Sequence, residues 1–119
     1  MKYLMLIKHS ESYRDMPIPQ ALMDAVGEFV TASFKSGVLK DTAGLKPSAD
    51  GFRVRLSKKQ LKVIDGPFTE SKELIGGYAM VELPSKEDAL RFAREFMELH
   101  LRHWPEFEAE SEVRPVEDM

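Results

Sequence analysis

The run Tyr3-Leu4-Met5-Leu6-Ile7 decides the fold of this chain. It is apolar at every position, and successive side chains of a strand point to opposite faces of a sheet. Both faces of this strand must therefore be covered. Such a pattern predicts a central strand rather than an edge strand.

A helix is predicted directly after this strand. From Pro19 to Ser36 the apolar residues recur at helical spacing, and Gly37 supplies the left-handed residue that commonly ends a helix. Gly27, inside this helix, costs about 1 kcal/mol relative to alanine. We therefore expect Gly27 to mark a close packing contact.

The second predicted helix follows Pro84. Ser85 and Asp88 resemble a capping box, and Pro105 ends the helix. Its apolar stripe consists of Ala89, Phe92, Ala93, Phe96 and Met97. Trp104 is expected to pack at the end of this helix against the core.

The remaining segments predict strands. Phe52, Val54 and Leu56 alternate with polar residues, which together with the Lys58-Lys59 turn indicates a hairpin with one solvated face. Further strands are predicted at Val38–Leu45, Tyr78–Leu83 and Glu108–Val116. Without the hairpin, the order is the βαββαβ pattern of a ferredoxin-like core, so the predicted fold class is α+β in one domain over residues 1–119.

The same pattern predicts a homodimer. Two helices cover only one face of such a sheet, whereas Leu4 and Leu6 need a cover on the other face. A partner subunit packed sheet against sheet would provide it.

The most distinctive stretch runs from Asp65 to Tyr78. Asp65-Gly66-Pro67-Phe68 forces a sharp turn after a strand. Gly76-Gly77 allows another backbone or a ligand to approach the start of the next strand closely.

These motifs carry a resemblance to a known family. Asp65-Gly66-Pro67-Phe68, Lys72-Glu73, Gly76-Gly77-Tyr78 and Glu112-Val113-Arg114-Pro115-Val116 resemble the signature of the DGPF proteins, a branch of the YCII-related family. The resemblance implies a dimeric α+β domain with a cleft at its sheet surface. It also implies two functions: enzymatic activity through a histidine–aspartate pair, or a regulatory association with a transcription sigma factor. The family histidine near the start of the first helix is absent here, where Pro19-Gln20-Ala21-Leu22 stands.

Asp65 and His9 are the candidate catalytic residues. Asp65 could act as a general base in a cleft, or it could simply bond to the backbone of its own turn. His9 follows the central strand and titrates near neutral pH, so it could carry a proton in place of the missing family histidine. A loop histidine without a function is the alternative.

Four further residues are candidate ligand contacts. Lys72 and Glu73 could anchor a small polar ligand, or could form pairs across a dimer. The Tyr78 hydroxyl needs a partner if it is buried, and that partner could lie in the same cleft as Asp65. Arg114 could pair with Asp65 or Glu73, although the alternation of Glu110, Glu112 and Arg114 is more typical of a solvated strand face.

Composition excludes several classes of function. The chain has 119 residues, a net charge of −3 and no cysteine, so we expect no direct nucleic-acid partner and no thiolate chemistry. No apolar stretch is long enough to cross a membrane, and we expect a cytoplasmic protein. His100 and His103 lie one helical turn apart but lack a third ligand, so we predict no metal and no cofactor.

The sequence leaves the function open among three hypotheses. The first is a domain of unknown reaction that binds a small polar ligand in a cleft near the DGPF turn, either with or without acid–base catalysis. The second is a non-enzymatic accessory protein of a sigma factor. The third is a domain that serves mainly as a structural or oligomerisation unit.

Overall fold

The computed structural model of the chain describes residues 1–68 and 73–117. Its strands are β1 (Lys2–His9), β2 (Leu39–Gly44), β3 (Phe52–Ser57), β4 (Gln60–Asp65), β5 (Leu74–Glu82) and β6 (Ala109–Pro115). Four of them form one sheet in the order β2-β5-β1-β6, in which every pairing is antiparallel. The central position of β1, predicted from its apolar run, is confirmed.

Two helices complete an α+β fold. They are α1 (Gln20–Lys35) and α2 (Lys86–His103), and Gly37 ends α1 with a φ of +83° as expected. The cap of α2 is confirmed, since Ser85 Oγ accepts a hydrogen bond from the Asp88 backbone N–H at 3.2 Å. Neither of these helices in the described part of the chain is long and apolar enough to cross a bilayer.

Gly27 corrects one expectation. A Cβ built at this position would meet nothing within 4 Å, so Gly27 marks no packing contact. The residue lies on the exposed side of α1.

The helices pack on one face of the sheet. Tyr3 and Met5 of β1 and Val81 of β5 are buried there against Ala89 and Ala93 of α2. Leu4 and Leu6 point to the opposite face, where they are only partly buried. The alternation along β1 therefore separates a closed face from a more open one.

The inserted hairpin is confirmed as a separate two-stranded sheet of β3 and β4. Lys58 and Lys59 form its turn with φ values of 50° and 65°. Its apolar face differs from the expectation, because this face is exposed as well as the polar one. The exposed apolar side chains are Phe52, Val54, Leu56, Leu61 and Val63.

Candidate functional site

A cavity of about 450 Å³ lies between the helix-covered face of the sheet and the two helices. Met5 and Ile7 of β1 form part of its floor, and Phe29 of α1 and Phe96 of α2 form part of its walls. Phe29 and Phe96 pack against each other with ring centroids 6.0 Å apart. The small residues Ala79 and Ala93 also line the cavity.

The cavity wall is uncharged. Of the described residues that line it, none is Asp, Glu, Lys or Arg. Its lining residues with a polar side-chain group are His9, Tyr13, Thr42, His100, Trp104 and Ser111. Tyr78 also lines it, but Tyr78 pairs with Leu6 of the open face and its hydroxyl donates to Asp41. Because burying a charge without a partner is costly, an uncharged wall disfavours the binding of a charged molecule.

His9 lies at the end of β1 with its ring on this wall. Its Nδ1 lies 2.9 Å from the Ser10 carbonyl oxygen, which can only accept, so Nδ1 carries the proton of the neutral ring. Nε2 lies against Gly76 and has no hydrogen-bond partner among the described residues. The neutral His9 ring therefore presents an accepting nitrogen.

Gly76 makes room for the His9 ring. The pairing of β1 with β5 shifts between Ile7 and Lys8, which leaves Gly76 as the extra residue of a bulge. A Cβ at Gly76 would collide with His9 Nε2. The close approach of another backbone, predicted for Gly76-Gly77, is confirmed at Gly77, where a Cβ would lie 3.1 Å from the Ala43 carbonyl oxygen. At Gly76 the group that approaches is a side chain.

His100 is a second imidazole in the cavity wall. Its Nδ1 lies 3.0 Å from the Phe96 carbonyl oxygen of the preceding helical turn, so this nitrogen also donates. Burial is the larger effect on the ring and lowers the pKa of His100, while the hydrogen bond to Phe96 opposes it. His100 therefore stays neutral at neutral pH.

Phe107 contacts both imidazoles. Its ring centroid lies 5.4 Å from that of His9 and 5.6 Å from that of His100. It also stacks on Trp104, with the ring planes 3° apart and the centroids 4.6 Å apart. Trp104 is buried, as expected from the sequence, and anchors this aromatic cluster at the end of α2.

A short 3₁₀ helix, Glu11–Asp15, closes one side of the cavity. The Tyr13 hydroxyl donates to the Glu106 carbonyl oxygen at 3.2 Å and accepts from the Glu108 N–H at 3.1 Å. Ile18 and Leu45 also line the cavity but are about half exposed, at 51% and 42%. The cavity therefore opens to solvent beside these two residues.

Asp65 lies elsewhere. It ends β4, its side chain is exposed, and it pairs with Phe52 across the hairpin. Neither Asp65 nor any residue of the following turn through Phe68 lines the cavity that contains His9. Of the described residues in the Asp65–Tyr78 stretch, only Gly76, Gly77 and Tyr78 contribute to it.

The Asp65-Gly66-Pro67-Phe68 turn instead holds the hairpin to the rest of the chain. Phe68 N–H donates to Ser48 Oγ at 3.1 Å, and Ser48 Oγ donates to the Glu11 carboxylate at 3.0 Å. Gly66 N–H donates to the Gly51 carbonyl oxygen at 2.9 Å, and a Cβ at Gly66 would collide with the Ser48 carbonyl. The turn thereby connects with the 3₁₀ helix beside the cavity.

The three described residues among the predicted ligand contacts do not converge on one site. The Tyr78 hydroxyl donates to Asp41 Oδ2 at 2.9 Å, and this hydrogen bond, more than desolvation, raises the pKa of Tyr78. Arg114 is exposed on β6 opposite Leu4, and Glu73 is exposed just before β5. Lys72 lies outside the described residues.

A metal-binding cluster is not found in the described part of the chain, where no three His, Asp or Glu side chains converge.

Ser111 contributes a hydroxyl group next to the cavity. Its Oγ is occluded and has no hydrogen-bond partner among the described residues, although the residue borders the cavity.

Sequence reasoning missed His100, Tyr13 and Phe107 as parts of one site. His100 was considered only as a metal ligand or a helix-end residue. The available signal was the cluster of aromatic residues directly after α2, Trp104 and Phe107, one turn from a histidine. Nothing in the spacing placed Tyr13 beside them.

Comparisons with known proteins found one family model and one relative that match parts of this chain. The family model of the YCII-related domain matches residues 1–100. An uncharacterized protein of Rhizobium meliloti (strain 1021) is 36% identical over 61 residues, which are 51% of this chain and 49% of that protein. The match thus spans about half the length of that relative. Since the family model covers most of the chain, the protein belongs to the YCII-related family.

Proposed function

We propose that this protein binds a small, uncharged, largely apolar molecule in the cavity between the sheet and the helices. The observation that carries the proposal is a cavity of about 450 Å³ whose described lining residues include no charged side chain. Ligand pockets for small molecules have volumes of roughly 300–1,000 Å³ and are mostly apolar with a few polar groups. The polar ligand expected from the sequence fits this wall less well.

The aromatic side chains of the cavity wall favour a ligand that contains a ring. Phe29, Phe96 and Phe107 contribute rings to the wall, and aromatic pairs gain roughly 0.5–1.5 kcal/mol beyond the burial of their area. A flat ring compound of about six to ten heavy atoms would make such contacts within the cavity.

If the protein is an enzyme, His9 is the group that we propose as its proton carrier. Its Nδ1 is held by the Ser10 carbonyl oxygen, and Nε2 is the accepting atom. This is the arrangement by which a second partner sets the tautomer of a general base. Asp65 is no part of this proposal, because it lies on the hairpin and outside the cavity wall.

A titration with two probes of similar size tests the binding proposal. Toluene is apolar and uncharged, whereas benzoate has the same ring with a carboxylate. We expect toluene to bind saturably and benzoate not to bind saturably. Binding is measured by ¹H–¹³C methyl spectra or by calorimetry. The control is Val26→Trp, which fills the cavity from α1 and should abolish toluene binding in a protein that remains folded. Benzoate binding as tight as toluene binding, or toluene binding unaffected by Val26→Trp, would refute the proposal.

We also propose that the core is ferredoxin-like and that the protein is a homodimer. The antiparallel order β2-β5-β1-β6 supports the first point. Leu4, Leu6 and Met80, adjacent on the open face of the sheet, support the second, since a partner sheet would bury them. Sedimentation equilibrium should give twice the chain mass of 13.6 kDa, and Leu6→Asp should shift the mass to that of one chain. A monomer at micromolar concentration would contradict the dimer.

The exposed hairpin supports a second candidate function, an accessory role beside a sigma factor in the cytoplasm. Its exposed apolar face includes Val54 and Leu61 and would need a protein partner. A pull-down should recover a sigma factor with the natural chain and lose it with Val54→Asp or Leu61→Asp. Recovery of the same amount with both variants would remove this candidate.

A further inference from the structure

A second imidazole lies in the cavity wall without a role in the acid–base scheme proposed for His9. His100 is on α2, and His9 is on β1, so the two rings reach the cavity from different elements. The ring centroid of His9 lies 5.4 Å from that of Phe107, and the ring centroid of His100 lies 5.6 Å from it. Both imidazoles therefore contact the same aromatic ring, and they lie around Phe107 in the same cavity wall.

The free nitrogen of His100 is accessible. Nδ1 is occupied by the Phe96 carbonyl oxygen, which leaves Nε2 without a hydrogen-bond partner among the described residues. In that same part of the chain, Ser111 Oγ is the only side-chain nitrogen or oxygen atom that is both occluded and unpartnered. Nε2 of His100 therefore keeps accessible surface.

The chemistry of this nitrogen limits what it can bind. In a neutral imidazole whose Nδ1 donates, Nε2 has a lone pair and no hydrogen, so it is an acceptor only. Tyr13 cannot supply the missing donor, because its hydroxyl hydrogen is directed to the Glu106 carbonyl oxygen. Thr42 Oγ1 likewise donates to the Tyr78 carbonyl oxygen at 2.8 Å. No described side chain donates to His100 Nε2, so a donor for this nitrogen comes from the bound molecule or from water.

We infer that His100 is a ligand-binding residue, and that the cavity takes uncharged ring compounds with an O–H or N–H group that donates to His100 Nε2. This inference rests on the proposed binding function and specifies its ligand class. A compound with donors at both ends would engage Nε2 of both His9 and His100. A ring compound with acceptors only would leave these nitrogens unsatisfied, which costs affinity.

Phenol and anisole test the inference as a matched pair. The two rings are alike, but phenol donates a hydrogen bond and anisole only accepts. Measured by calorimetry, phenol should bind at least about fivefold more tightly than anisole, as one hydrogen bond implies. His100→Phe keeps a ring of similar size and should reduce the preference to within about twofold. His103→Phe, on the same helix end but outside the cavity wall, is the control and should keep the full preference.

A measurement on the natural sequence covers the case in which His100→Phe does not fold. With ¹⁵N-labelled histidine, phenol should shift the Nε2 resonance of His100, anisole should not, and the ring nitrogens of His103 should stay unchanged. Equal shifts with phenol and anisole, or a phenol shift confined to His103, would overturn the inference.

The outcomes separate this inference from the binding proposal. If toluene, anisole and phenol bind with equal affinity, the cavity binds ring compounds but His100 does not favour hydrogen-bond donors. In that case the inference about His100 fails and the proposed binding function stands. If none of the three binds, the proposed function fails and the inference fails with it. A preference for phenol that survives His100→Phe assigns the donor contact to another residue and also overturns the inference.

Discussion

The imidazole of His9 occupies the space that a side chain at residue 76 would need. Gly76 is the extra residue of a bulge in β5, and a Cβ there would collide with His9 Nε2. The two residues are far apart in sequence, yet the glycine determines where the ring can lie. The orientation of the candidate proton carrier thus depends on the absence of a side chain in the neighbouring strand.

Gly76→Ala is therefore expected to displace the His9 ring from the cavity wall. We expect destabilisation of about 1–3 kcal/mol, the range for forcing an added methyl group into a packed site. Denaturant unfolding measures the loss of stability, and histidine ¹⁵N spectra show whether the environment of the His9 ring has changed. Gly51→Ala is the control, because its Cβ would meet the Ser48 carbonyl oxygen at an ordinary 3.6 Å. A Gly76→Ala protein with unchanged stability and unchanged His9 resonances would show that the contact is unimportant.

Gly27→Ala is expected to stabilise the protein. The position is exposed in the middle of α1, and an added Cβ meets nothing within 4 Å. Alanine should raise the free energy of unfolding by about 0.5–1 kcal/mol, because the unfolded chain loses freedom and the helix gains a better former. Urea unfolding measures the difference. A loss of stability would mean that this face of α1 is covered in the native assembly.

Ser48→Ala tests the anchoring of the Asp65-Gly66-Pro67-Phe68 turn. Ser48 Oγ accepts from Phe68 N–H and donates to the Glu11 carboxylate, so its removal takes away the acceptor of the Phe68 N–H and one of the donors to Glu11. We expect a loss of about 1–3 kcal/mol in the free energy of unfolding. Ser57→Ala, at the exposed end of β3, should change stability by less than about 0.5 kcal/mol. Equal effects of the two variants would argue against an anchoring role.

The pH dependence of stability should carry a contribution from His100. Burial lowers the pKa of His100 in the folded chain, whereas the unfolded chain has the ordinary value of 6.5. As the pH falls through 6.5, the unfolded chain takes up a proton that the folded chain resists, so stability is lost toward acid and is fully present above that value. The melting temperature of His100→Phe should fall less than that of the natural protein between about pH 7.5 and about pH 5.5. The same fall in both proteins would show that His100 does not titrate as described.

The fold was predictable because periodicity reports burial. The apolar run at Tyr3–Ile7, the stripe of α2 and the alternation in β3 each identified an element that the structure contains. The exposed apolar face of the hairpin was not predictable, since alternation shows that a strand has two unlike faces but not what covers either one.

The site was predicted only in part, for a physical reason. The conspicuous Asp65-Gly66-Pro67-Phe68 turn has unusual residues because its backbone makes a tight contact with Ser48, and such a contact needs glycine whether or not a ligand lies near. His9 was found because it follows the central strand. His100 and Tyr13 come from distant segments, and only the packed structure brings them to the same cavity.

A crystal structure of the protein grown in the presence of toluene would test the proposed binding function at the cavity itself. We expect ring-shaped density between the sheet and the helices, in contact with Phe96 and Phe107, with the His9 and His100 rings in the cavity wall. A collapsed cavity, or one that holds only hydrogen-bonded waters in toluene-saturated crystals, would contradict the proposal.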